Sequence, residues 1–390
     1  MMNKTSYKKS KVLSISTGHF LHDLYSSFLA PMLPLLIDKL GISLSLVGLL
    51  DVIRRVPSLI NPFIGAMADR TGLKYMIILT PAVTGISMSF LGIAPNYSTI
   101  AILLFVAGLS AAFFHVASPV LVKRYSGNNT AKSMGYYMFG GEIARTLGPL
   151  LITAVISWWS LEGSLRVIPI GIIASVVLYF QLRNFKYIRK KVSLATSENR
   201  SIERKKYIPL FTAISGFLFF NAGMKAFLTL YLVIYLTDKG NSLWLASISL
   251  SVLQLSGAAG SFFAGYITEK ISYKVTLLIS SIASPILMLS LFYFNFLTIP
   301  LLILVGFTFF VATPIIMAVV QEQATKRPAF LNSIYMTLSF VINSLMVLLV
   351  GVLSDFIGMD NTMLATGLMA FVSIAFVFLF PEGEISTKTK

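Results

Sequence analysis

The sequence predicts an all-α polytopic membrane protein of about twelve transmembrane helices, arranged as two six-helix repeats. Three observations predict it: the composition, the rhythm of apolar runs, and the positions of the basic residues. The 390 residues are 56% hydrophobic and only 12% charged, whereas a soluble domain carries about a quarter charged residues. A water-soluble core could not absorb that much apolar sequence. Each crossing needs roughly 20 apolar residues, so about 32 residues per helix and loop give twelve spans.

The first apolar run, near 12–37, follows the basic segment MMNKTSYKKSK without a small-residue cleavage site, which reads as an uncleaved first helix. Further runs of spanning length fall near 44–67, 75–95, 99–122, 133–157 and 165–184. A second set falls near 207–237, 242–267, 275–295, 299–320, 330–354 and 361–381. The predicted organisation is therefore a six-helix bundle over 1–184, a basic linker over 185–206, and a second bundle over 207–390. Placing the N-terminus in the cytoplasm puts 24 Lys and Arg on that side and three, Lys39, Arg166 and Lys239, on the other. The positive-inside bias therefore places both termini inside. The linker stretch Lys186 to Lys206 is suited to anionic lipid headgroups. The plainer reading, which is preferred, is a solvated linker that meets the same bias.

The halves repeat. GAMADRTGLKY from Gly65 to Tyr75 is echoed by GYITEKISYK from Gly265 to Lys274, the stretches between helices 2 and 3 and between helices 8 and 9. Gly65 and Gly265, Asp69 and Glu269, Arg70 and Lys270, and Lys74 and Lys274 all match at an offset of 200 residues. Repeated halves are an architecture of transporters, whose binding site lies between them near the midplane.

The composition also excludes. Without cysteine there are no disulfides or thiolate metal sites, and three histidines speak against zinc chemistry. No cofactor is implied. The net charge of +16 sits in short loops between apolar runs, not on the basic face that nucleic acid requires. An enzyme would need its nucleophile, metal or carboxylates clustered near an interface, and the acidic candidates are scattered over three helices. A channel would need a filter ring or re-entrant segment, and a receptor usually carries an appended soluble domain.

Gly65, the Asp69-Arg70 pair, Gly72 and Lys74 resemble the loop signature of the major facilitator superfamily. The stretches GHFLHDLY (Gly18 to Tyr25), FFHVASPVLV (Phe113 to Val122) and GGEIARTLGPLL (Gly140 to Leu151) resemble its fosmidomycin-resistance branch of drug exporters. The departures are His22 in place of Asn, Val116 in place of Pro, Ala117 in place of an acidic residue, and added charge at Arg54, Arg55, Glu142 and Arg145. The architecture carries over, and the branch's antibiotic does not follow. The resemblance implies the major facilitator fold, with helices 1, 4, 7 and 10 lining a cavity and helices 3, 6, 9 and 12 as outer supports. It also implies a conformational latch at Gly65, Asp69, Arg70, Gly72 and Lys74, with Glu269 and Lys270 as a weaker copy or as topogenic charges. Gly140, Gly141, Gly148 and Pro149 resemble the exporters' glycine-proline motif, although Leu150 and Leu151 replace its second glycine pair.

Charges inside the hydrocarbon cost roughly 2.5–3.5 kcal/mol each at a helix centre, so they should pair or face water. They are Asp23, Asp51, Arg54, Arg55, Glu142, Arg145 and Lys225. Residues three and four apart share a helix face, so Asp51 can reach Arg54 or Arg55, Glu142 can reach Arg145, and His19 can reach Asp23. The alternative reading of each is a neutralised pair that locks its helix. Arginine forks suit carboxylate, phosphate or phosphonate, making Arg54, Arg55 and Arg145 candidate substrate contacts beside Asp51. Asn221 and Lys225 share a face of helix 7, and the repeat offset brings Lys225 toward Asp23. Asp23 and Glu142 are candidate proton-coupling carboxyls, with His19, His22 and His115 as relays or as hydrogen-bonded structural histidines. Four bases against three acids favour an anion. The expectation is a monomeric, proton-coupled exporter of a small organic compound or drug in the cytoplasmic (inner) membrane, with uptake symport on the same fold as the alternative.

Overall fold

The structure, a computed structural model, describes residues 7–61, 63–64, 74–127, 129–183, 200–321 and 328–380. The described residues are helical apart from turns and short connections. The helices are α1 (Lys9–Ser26), α2 (Leu29–Leu40), α3 (Leu44–Arg55), α4 (Lys74–Phe90), α5 (Tyr97–Tyr125), α6 (Thr130–Trp159) and α7 (Ile168–Leu182), followed by α8 (Arg200–Ala226), α9 (Leu232–Asp238), α10 (Leu243–Ile271), α11 (Tyr273–Tyr293), α12 (Thr298–Phe310), α13 (Ala312–Gln321), α14 (Pro328–Ala370) and α15 (Ser373–Val377).

Among the described residues ten helical stretches are long and apolar enough to cross a membrane. The longest, Ile334–Val377, is broken at Gly358, whose φ of 79° leaves the helical region and separates two spans. α3 runs on as a 3-10 turn from Val56 to Ile60, and residues 61, 63 and 64 beyond it are helical. Twelve spans are consistent with this pattern.

Two breaks within spans fall just before prolines. α1 and α2 form one crossing interrupted at Ser27 and Phe28; Pro31 lacks the N–H that would bond back to Ser27. α12 and α13 part at Val311, because Pro314 cannot donate to the Phe310 carbonyl. Ser261 Oγ donates to that carbonyl instead at 3.1 Å. α8 and α9 join through a π turn at Phe227–Tyr231.

Two edges differ from the sequence expectation. α8 already begins at Arg200, inside the expected linker, and 184–199 lie outside the described residues. α10 stays helical through Ile271, so Gly265 to Lys270 lie on a helix end and not in a loop. Ser272, at φ 67°, makes the whole turn, and its hydroxyl accepts from Val275 N to start α11.

The chain forms two compact units. The first comprises Met1–Ile42, Leu50–Val192 and Leu236–Ser251. α1 packs on α6, and α4 packs on α5 and α7, around a core that includes Ile15, Ile77, Phe114, Leu121 and Tyr137. The start of α10 joins this unit through a 2.7 Å hydrogen bond between Thr153 and Ser247 hydroxyls. The second unit comprises Ser43–Leu49, Ser193–Tyr235 and Val252–Lys390. α8 packs on α14 and α11 on α12, around Phe217, Leu277, Ile315 and Phe380. Here the start of α3 is capped by Asp355 of α14, whose carboxylate accepts from Leu44 N and Ser45 N, each at 2.8 Å. Each boundary segment thus lies with the unit built mainly from the opposite half of the sequence.

Candidate functional site

The first unit gathers all three histidines of the chain around Asp23. α1 supplies His19, His22 and Asp23, and α5 supplies His115. His19 and His22 are buried, Asp23 nearly so, and the His115 side chain is 45% exposed. His19 Nε2 lies 3.3 Å from Asp23 Oδ2, and His115 Nε2 lies 3.3 Å from Asp23 Oδ1. Glycine makes room for this arrangement. A Cβ at Gly141 of α6 would lie 2.6 Å from His19 Cε1 and 3.2 Å from Asp23 Oδ2, while one at Gly140 would lie 2.8 Å from the Ser16 carbonyl. Gly148 likewise lets α6 lie against the Leu24 carbonyl, 2.6 Å from where its Cβ would stand.

The hydrogen bonds fix which ring nitrogens carry protons. His19 Nδ1 lies 2.7 Å from the Tyr137 carbonyl oxygen. A carbonyl only accepts, so Nδ1 bears the hydrogen and a neutral His19 presents a lone pair at Nε2. That lone pair would face the Asp23 carboxylate. The contact is favourable only when a positive species stands there. His22 is fixed in the same sense: Ser110 donates to the Thr80 carbonyl at 3.1 Å, Thr84 to Ser110 at 2.8 Å, and His22 Nδ1 to Thr84 at 3.1 Å. His22 Nε2 is buried without a hydrogen-bond partner, and so is Asp23 Oδ1 despite the nearby His115. The rings are held by stacking, His19 on Tyr137 at 3.9 Å between centroids and His22 on Phe114 at 4.8 Å.

Asp51 on α3 is fully buried and takes both neighbouring arginines. Arg54 Nη2 donates to Oδ1 at 2.6 Å and Arg55 Nε to Oδ2 at 2.5 Å. The Arg55 side chain is 36% exposed against 22% for Arg54. On α6 Arg145 Nη2 donates to Glu142 Oε1. Both side chains remain accessible, while Arg145 Nε has no hydrogen-bond partner. In the second unit Asn221 donates to the Phe217 carbonyl at 2.9 Å and lines a small cavity of about 30 Å³ with Lys225, Thr313 and Asn343. Asp23 belongs to the first unit and Lys225 to the second.

Of the expected latch, Gly65, Asp69, Arg70 and Gly72 lie outside the described residues. Lys74 donates to the Arg183 carbonyl at 3.0 Å. Glu269 and Lys270 are exposed on α10, with the Lys270 ammonium over the Tyr266 ring. Sequence reasoning missed the Tyr137 carbonyl, Thr84 and Ser110, the Asp355 cap, and the contribution of Asn343 and Thr313. A hydroxyl in an apolar run gives no sign of its partner on another helix.

Among the described residues, ten helical stretches long and apolar enough to cross a membrane, with paired charge and a titratable cluster inside them, mark a polytopic membrane protein. Residues 15–345 match the model of the Major Facilitator Superfamily, and the chain belongs to that family of transporters. It is 20% identical to the fosmidomycin resistance protein of Escherichia coli (strain K12), over 94% of this chain and 91% of that protein. It is 25% identical to multidrug resistance protein MdtG of Salmonella arizonae, over 70% of each chain. Among solved structures it is similar to an inward-facing, unoccupied bacterial homolog of the human lysosomal transporter Spinster, with TM-score 0.80, 16% identity and coverage of 95% and 96%. It is also similar to a D-xylose-proton symporter, with TM-score 0.72, 14% identity and coverage of 97% and 99%.

Proposed function

We propose that the protein is a proton-coupled exporter of a small organic anion, working by alternating access in a cytoplasmic membrane with both termini inside. The observation that carries proton coupling is the His19–Asp23 contact. The Tyr137 carbonyl forces the bare nitrogen of a neutral His19 onto a carboxylate, so the pair is stable with a proton between the two atoms and repulsive without one. His115, close to the other carboxylate oxygen and exposed, provides the route by which that proton exchanges. Glu142 is the second coupling carboxyl, since its side chain and that of Arg145 are both accessible.

For the substrate, Asp51 between two guanidiniums leaves one excess positive charge, with Arg55 the more exposed of the two. Arg145, with an unsatisfied Nε, offers a further donor. These groups suit a carboxylate, phosphate or phosphonate. Within the second unit, Asn221 and Lys225 are substrate-contact candidates on the small cavity they line. The latch at Gly65, Asp69, Arg70, Gly72 and Lys74 affects switching more than affinity, and Glu269 and Lys270 assist it or serve as topogenic charges. The drug-resistance names of similar proteins favour export. Uptake symport is the second reading, favoured by the similarity of fold to a D-xylose-proton symporter.

Purified protein challenged at two pH values with a panel rich in organic anions and phosphonates should be stabilised selectively by anions. That stabilisation should weaken in Arg145→Gln. Selective stabilisation by neutral or cationic compounds would remove the anion assignment.

A further inference from the structure

Beyond carrying a proton, the His19, Asp23 and His115 side chains have the donor set of a transition-metal site, and we propose that they bind a divalent first-row transition cation. One ligand atom from each of the three residues falls within 4.8 Å of the others. Bonds of about 2.0–2.2 Å in a tetrahedral shell place donors roughly 3.3–3.6 Å apart. His19 Nε2 lies 3.3 Å from Asp23 Oδ2 and His115 Nε2 3.3 Å from Asp23 Oδ1, so each nitrogen already has that spacing to one carboxylate oxygen. Bringing both nitrogens onto one metal requires the His115 ring to move; it is half-exposed and meets the His19, His22 and Phe114 rings edge-on, whereas His19 is stacked face to face on Tyr137.

Three further features distinguish this cluster from a plain hydrogen-bonded network. The 2.7 Å bond from His19 Nδ1 to the Tyr137 carbonyl is the outer contact that orients a metal-binding imidazole and leaves its Nε2 lone pair free. Asp23 Oδ1, buried and 3.3 Å from His115 Nε2, accepts no hydrogen bond, so the two atoms converge without bonding to each other. His22 Nε2 is another buried nitrogen without a hydrogen-bond partner, and its ring centroid lies 5.3 Å from that of His115. Two imidazoles with one carboxylate favour Zn²⁺, Ni²⁺ or Co²⁺ over the oxygen-seeking Mg²⁺ and Ca²⁺. Three protein ligands with an exposed side leave a coordination position for water or a chelating anion, as in exchangeable rather than structural sites. The sequence reading that three histidines speak against a metal rested on their number. Folding places all three in one cluster.

The site stands independently of the transport reading, because binding is measured without a gradient or an organic substrate. Metal-free protein carrying no histidine tag is titrated with Zn²⁺ by calorimetry, and the bound metal is characterised by zinc-edge X-ray absorption. Because the chain has no cysteine and His22 is its one histidine besides the two proposed ligands, any imidazole signal comes from these three rings, and the His115→Ala variant tests which of them bind. The expected result is one equivalent of zinc with two imidazole ligands. In His115→Ala, whose side chain is exposed in the wild type, the affinity should fall at least about tenfold and one imidazole should disappear. Absence of binding, coordination by oxygen alone, or equal affinity in wild type and His115→Ala would overturn the proposal.

Discussion

Replacing Asp51 by Asn removes the one carboxylate that holds Arg54 and Arg55 apart. In the wild type its two oxygens accept at 2.6 and 2.5 Å from different guanidiniums, and the carboxylate has no solvent exposure. With charge centres about 4 Å apart and an effective dielectric near 20, each attraction is worth about 4 kcal/mol before desolvation. Breaking a buried pair costs about 3–5 kcal/mol. Both arginines reach partly toward solvent, which places Asp51→Asn near the lower end, about 3 kcal/mol. The second substitution, Arg55→Gln, removes one of the two cations left without a partner, so the double variant should recover part of the loss. Equilibrium unfolding in mixed micelles of the wild type, both single variants and the double variant gives the coupling directly. A coupling of about 1–3 kcal/mol is expected for residues sharing one network. A loss below about 1 kcal/mol with additive effects would show that Asp51 behaves like an exposed pair, and the charge count behind the anionic substrate would fail.

Gly141→Ala brings a methyl group to 2.6 Å from His19 Cε1. It should cost about 1–3 kcal/mol by overpacking and impair transport more than Gly135→Ala, where no atom lies within 4 Å of an added Cβ; flux in proteoliposomes checks it. Asp355→Asn weakens the cap on α3, an interaction of about 0.5–2 kcal/mol. Since the chain has no cysteine, a single Leu46→Cys probe should react faster with a polar thiol reagent when Asp355 is neutralised. An unchanged rate would rule out a role for the cap in holding that end of α3.

The alternation of apolar runs with basic loops made the membrane fold legible, because lipid imposes a minimum length on every span. Element edges were less legible. Residues such as Thr268, Glu269 and Lys270 are polar yet continue α10, since a helix end at the membrane surface can be polar without unwinding. The π turn at Phe227–Tyr231 leaves no mark in an apolar sequence. Within the site, contacts along one helix were readable from spacing: His19 with Asp23, Glu142 with Arg145, and Asp51 with its arginines. That Asp51 takes both arginines at once was not, since spacing allows either. Asp23 and His115 are 92 residues apart, and only the packing of α1 against α5 and α6 brings them together with the Tyr137 carbonyl.

Proton-driven flux through that cluster is the central claim. Inverted membrane vesicles carrying the protein, acidified inside and offered an organic anion that stabilises the purified protein, should accumulate it in exchange for protons. Accumulation should stop when the gradient is collapsed and should be lost in Asp23→Asn, while the variant still binds the anion. Gradient-dependent accumulation that persists in Asp23→Asn, or accumulation that ignores the gradient in the wild type, would contradict the account.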